Sequence, residues 1–129
     1  MISFVKKINE SPGTIYGKGS PMESITCAEN QLELIFAKEY KEYLLTFSVM
    51  AIDGREFTGL SKSKRVNVVS VTLHQRELNP DLPCDWYVVE EANIDGIVIW
   101  QNSDGAIYQT QPGLAAIKIA DSFEKYVFG

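Results

Sequence analysis

The sequence predicts an α+β fold in a single domain spanning residues 1–129: an antiparallel sheet of about four to six strands, with an N-terminal helix pair and a C-terminal helix packed against it. Three observations predict it. Residues 86–111 hold three short runs rich in β-branched and aromatic residues, separated by Asp95-Gly96 and Asp104-Gly105, pairs that supply the positive φ of tight hairpins. Residues 21–51 instead carry apolar side chains at spacings of three and four, the period of a helix. Residues 121–126 repeat a capping pattern, Asp121 as N-cap and Glu124 three positions on, with Phe123, Tyr126 and Val127 giving one apolar side.

Within the meander, the middle run at residues 97–100 is apolar at consecutive positions, so both of its faces should be covered. After it, Pro112-Gly113 makes a turn and residues 115–119 add a fourth strand, with Ile117 and Ile119 on one face. Ile52, Asp53, Gly54 and Arg55 form a further Asp-Gly turn, leading into a strand at residues 56–60.

The helices follow from local chemistry. Phe4, Val5 and Ile8 lie at helical spacing and Pro12-Gly13 ends the segment, a short amphipathic helix. Residues 13–20 group glycines with Lys18 and Ser20, but the spacing fails the phosphate-loop pattern and no strand leads in, so they read as a flexible connector. Ser20, Pro21 and Glu23 form a capping box that starts the next helix. One stripe runs through Met22, Ile25, Leu32 and Ile35, and a second through Phe36, Tyr40, Tyr43 with Leu44, Phe47, and Met50 with Ala51. A single rod over both would be about 45 Å long, too long for this domain, so two helices with a bend at residues 34–37 are predicted. Residues 66–72 are ambiguous between strand and helix, with Ser70 or Thr72 as a cap for a short helix ending before Asn79-Pro80.

The totals bound the function. A chain of 129 residues with 45% hydrophobic content is one ordinary domain with enough apolar surface for a core. Its net charge of -5 disfavours direct nucleic-acid or anionic-membrane binding and suits a basic partner. No run reaches membrane-spanning length, and residues 1–10 lack the apolar core of a secretory signal. Cys27 and Cys84 make neither a zinc signature nor a disulfide framework; they read as reduced, buried or half-buried residues of a cytosolic protein.

Candidate chemistry is sparse. His74, the single histidine, reads as a surface residue of a helical turn rather than a general base or ligand. Glu90, Glu91, Asp95 and Asp104 cluster at the meander ends, but Asp95 and Asp104 are explained by turn chemistry, and Glu90 and Glu91 must point to opposite faces of one strand. Residues 61–65 are a basic loop, read as a solvated face, with a grip on a phosphate or acidic partner as the alternative. Trp86, Tyr87, Trp100 and Tyr108 read as core, and any of them left exposed would be a contact anchor. No cofactor, metal ligand set or catalytic residue is indicated.

Several strings resemble the SUKH superfamily, which includes bacterial immunity proteins and yeast cell-wall synthesis regulators of the Smi/Knr type. Glu39-Tyr-Lys-Glu-Tyr-Leu44 is similar to the family's second helix, Ile52-Asp-Gly-Arg-Glu56 to its hairpin, and Ile119-Ala-Asp-Ser-Phe-Glu-Lys-Tyr126 to its closing helix. The likeness spans residues 17–128. Where the family usually has proline before the second helix and glycines in the flanking turns, this chain has Ala37, Glu33 and Ser48. The resemblance implies a protein without enzymatic activity that binds and neutralises a toxin domain, often a nuclease. On that reading the partner-binding residues are Asp53, Glu56, Asp85, Trp86 and Glu91, an aromatic anchor with a charged rim on a sheet face that helices leave open. A regulatory scaffold and a small hydrolytic or ligand-binding domain, with carboxylates around Trp100, are the other classes the sequence allows.

Overall fold

The computed structural model describes residues 2–129, and the side chains of residues 4–129. Its centre is a seven-stranded antiparallel sheet whose strands lie in chain order. They are β1 (Thr14–Tyr16), β2 (Met50–Ile52), β3 (Arg55–Phe57), β4 (Tyr87–Glu91), β5 (Val98–Gln101), β6 (Ile107–Gln111) and β7 (Leu114–Ala120). The predicted meander is β4–β5–β6 and the predicted fourth strand is β7; the sheet is larger than the expected four to six strands because β1 and β2 extend its other end. Thr14, Ile15 and Tyr16 pair with β2, so part of the supposed connector is an edge strand.

The rest of that connector is packed rather than flexible. Gly17 N–H bonds Val49 O and Ser20 N–H bonds Leu44 O, and a Cβ on Gly19 would lie 1.7 Å from Leu45 O. Glycine lets the chain press against backbone there.

The helices are α1 (Ile2–Glu10), α2 (Met22–Leu32), α3 (Lys38–Thr46), α4 (Val68–Leu78) and α5 (Phe123–Phe128). Two helices with a bend between them are what the length argument required. The bend is built without glycine or proline: Glu33 takes φ 56 at the end of α2, and the buried Glu29 carboxylate accepts from Phe36 N–H at 2.9 Å and pairs with Lys41 at 3.3 Å. Ser48 takes φ 65 just after α3, which ends the helix earlier than the apolar stripe suggested and sends Met50 and Ala51 into β2. At both family glycine positions, then, this chain keeps the left-handed geometry with a bulkier residue.

Three caps differ from expectation. The Ser20 hydroxyl bonds Ser48 Oγ instead of the helix, and Pro21 stands at the N-cap of α2 with no side-chain cap. Asn67, not Ser70 or Thr72, caps α4, accepting from Val69 and Ser70 N–H. Ser122, not Asp121, caps α5 by accepting from Lys125 N–H, because Asp121 is drawn into an ion pair with Lys118. For Ser20 and Asp121 another partner won the competition for the side chain, whereas α4 begins at Val68 and leaves Ser70 and Thr72 inside it.

The main core lies between the sheet and helices α1, α2, α3 and α5, around Phe4, Phe36, Tyr40, Tyr43, Tyr87 and Phe123. Three of these rings are tyrosines with every hydroxyl employed. Thr58 Oγ1 donates to Val88 O, so Tyr40 donates to Thr58 Oγ1; Tyr43 donates to Thr58 O. Tyr87 OH accepts from Ala37 N–H and donates to Gln101 Oε1. Burial pushes all three hydroxyls up, so they stay protonated donors.

Gln101 passes this network to α5. Its Nε2 donates to Gly105 O and to Glu39 Oε1, and the Glu39 carboxylate also accepts from Phe123 N–H at the start of α5. Burial, the largest influence, raises the Glu39 carboxyl above its usual 4.5, against the hydrogen bonds from Phe123, Gln101 and Glu124 that lower it. The folded protein therefore holds this proton more tightly than the unfolded chain does. The resulting stabilisation is complete below pH 4.5 and is lost as pH rises through the raised folded value. Relative to Glu39→Gln, whose amide does not titrate, the wild type should gain stability on acidification through that window. Urea titrations at successive pH values test this, and a constant difference across the window would refute it.

Candidate functional site

Register divides the sheet into two faces. Met50, Phe57, Glu90 and Ile99 share a cross-strand row on the helix-covered face, while Ile15, Ala51 and Glu56 share a row on the other, outer face. Glu90 and Glu91 point to opposite faces, as alternation requires. Glu90 is buried and structural: Arg55 donates to both of its oxygens at 2.9 and 3.2 Å, and Tyr126 OH donates to Oε1 at 2.6 Å, which ties α5 to the sheet. Arg55 also lies over the Phe57 and Tyr126 rings.

The outer face is roofed only in its middle. Helix α4 and Leu82 cover a second core of Val71, Trp86, Val88, Val98 and Trp100, and Thr72 Oγ1 accepts from Val88 N–H where β3 has already ended. Trp100 is sealed in this layer with its indole N–H on Thr110 Oγ1 at 2.9 Å. Residues 97–100 are thus covered on both sides, as consecutive apolar positions predicted.

Clefts flank the roof. One, of about 320 Å³, is lined by Ile15, Gly17, Val49, Ala51, Glu56 and Val66. It continues into a narrow notch holding Glu56, Arg65, Glu91 and Asn93, then past Lys64 to Ser70 and His74 on α4. A further cleft of about 390 Å³ brings Gln75, Leu78 and Glu91 opposite Thr110 and Pro112. Ile15 is 75% exposed, the prominent apolar group at the open end, whereas Tyr16 pairs with Met50 on the helix-covered face and packs on Phe47.

The five residues expected to contact a partner fall into two places. Glu56 and Glu91 line the same notch, and Asp53 is exposed in the β2–β3 turn at that end of the sheet. Glu56 is paired with Arg65, whose hydrogen bond outweighs the opposing effect of burial and holds its carboxyl below the usual range; Glu91 accepts from Gln75 Nε2 at 2.6 Å. Asp85 and Trp86 lie at the other end of β4, roughly 16 Å away at 3.3 Å per residue. Trp86 is buried and stacked on Tyr108 at 4.2 Å, so it is core and not an exposed anchor. Ile15 and Tyr16 escaped sequence reasoning because glycines around them mimic a linker; the alternation in Thr14, Ile15 and Tyr16 was the available signal.

His74 is exposed on α4, as expected of a surface histidine. Both cysteines are exposed and unpaired, contrary to their expected burial; Cys27 falls on the outward side of α2 and Cys84 in the turn before β4. Among the described residues no helix is long and apolar enough to cross a membrane.

No curated protein matches the chain. The model of the SUKH_5 family, described as SMI1-KNR4 cell-wall, matches residues 1–128, adding α1 and β1 to the part where the resemblance was legible. With the helix pair, the Asp-Gly hairpin and the closing helix all in place and the match running through nearly the whole chain, the protein belongs to the SMI1-KNR4 cell-wall family of the SUKH superfamily.

Proposed function

We propose that this is a non-enzymatic cytoplasmic immunity protein that neutralises a cognate toxin domain by covering it with the open part of the outer sheet face. The observation that carries the reading is the uncovered row Ile15, Ala51 and Glu56, an apolar hollow bordered by charged groups that no element among the described residues closes. Interfaces are built in this way, an apolar centre with a polar rim. The net charge of -5 supports a basic partner such as a nuclease, whose docking complementary charge would speed and orient. Of the acidic residues at this end, Glu56 is already matched by Arg65, whereas among the described residues Asp53 and Glu91, the latter accepting from the neutral Gln75, are in no ion pair.

Calorimetric titration against the C-terminal domain of a large secreted protein encoded beside this one tests the proposal. The expected result is nanomolar binding that abolishes toxicity and weakens by at least about tenfold in Ile15→Asp, where a charge replaces an exposed anchor. Absence of binding at micromolar concentration to any such neighbour would overturn it. The family description favours a second reading, a regulatory scaffold related to cell-wall synthesis. On that reading the same face engages housekeeping proteins and no toxin.

A further inference from the structure

The far edge of the sheet poses a separate problem. Strand β7 has seven residues, Leu-Ala-Ala-Ile-Lys-Ile-Ala, and six of them are exposed. Leu114, Ile117 and Ile119 are 66%, 54% and 38% exposed, and the strand's outer backbone groups have no neighbouring strand. Exposed edges are normally blunted by proline, by charged side chains, by bulges or by shortness. Here the strand contains no proline, and its one charge, Lys118, is matched by Asp121 at 2.7 Å. The opposite edge, β1, is blunted by its length of three residues.

We propose that β7 is the contact strand of a homodimer, two copies pairing β7 to β7 antiparallel across a twofold axis into one continuous sheet. Charge selects a second copy as the occupant. From Gly105 to Ala120 there is no Asp or Glu, so two chains of net charge -5 can meet along this edge without opposing carboxylates. Register agrees: an axis near Ala116 and Ile117 sets Lys118 opposite Ala115 or Ala116, so the lysines do not face each other and each stays beside its own Asp121. Isologous pairing also closes, leaving only the short β1 edges at the two ends.

The test is sedimentation equilibrium of the purified chain from about 1 to 200 µM, the range expected for a small interface. The expected mass rises from 14.5 kDa toward twice that value, and Ile117→Lys, which sets like charges near the axis, raises the dissociation constant at least tenfold. Because Ile117 is exposed, its variant should melt with the wild type; Ala115→Glu provides a second variant with the same expectation. Amides of residues 115–119 should exchange more slowly at high concentration. A monomer at every concentration, or a dimer that both variants and amide exchange leave unchanged, would overturn the proposal. Neither result bears on toxin binding, which uses the other end of the sheet.

Discussion

Gly59→Ala is expected to remove more than about 3 kcal/mol of stability, well above the cost of an ordinary surface substitution. A Cβ at Gly59 would lie 1.8 Å from Ser48 O, 2.9 Å from Ser48 C and 3.0 Å from Val49 Cα. All three are backbone atoms, so no rotamer change relieves the clash. The surroundings are also pinned: Ser48 O accepts from Leu60 N–H, Gly59 N–H bonds Val66 O, and Gly59 O accepts from Val68 N–H at the start of α4. Shifting Gly59 would thus disturb the turn after α3, the exit from β3 and the entry to α4 together. Gly54→Ala is the control, because Gly54 has φ +84 but nothing within 4 Å of the added carbon. It should lose only the backbone strain, about 1 kcal/mol. Thermal melts compare the two, and similar midpoints for both variants would show that the contact at Ser48 yields easily.

Gln101→Leu should cost about 3 kcal/mol despite its similar volume, since the leucine can neither accept from Tyr87 nor donate to Glu39. Gln101 is 0% exposed, so water has no ready access to replace it. The loss should be non-additive with Glu39→Gln, because both changes act on one hydrogen-bonded chain running from Ala37 through Tyr87 to Phe123. A double-mutant cycle in urea reads this coupling. If the two losses add, then Gln101 and Glu39 stabilise the fold independently and the network has no collective role.

Much of the fold was legible because its signals are local. Asp53-Gly54 and Asp95-Gly96 adopt the positive φ angles that tight turns need, and each sits between paired strands. Tyr40, Tyr43 and Leu44 recur at helical spacing and all are buried. The misreadings come from partners that the local pattern does not weigh. Ser20 gave its hydroxyl to Ser48, 28 residues on, and Asp121 gave its carboxylate to Lys118 in the preceding strand. Glycines 17 and 19 looked like linker residues, but they serve close approach to the backbone of residues 45–49. Trp86 looked available as an anchor until Tyr108, from β6, stacked on it.

By itself the sequence determined the α+β class, the helix pair, the central meander and the family, because turn chemistry and apolar period depend on neighbours in the chain. The tertiary structure alone decided which sheet face stays open, which acidic residues share a notch, and which strand is left as an apolar edge. Those depend on where α4 comes to rest and on how many strands precede and follow the meander. Burial of a side chain is a property of what arrives beside it from elsewhere in the chain, and a linear pattern carries no record of that arrival.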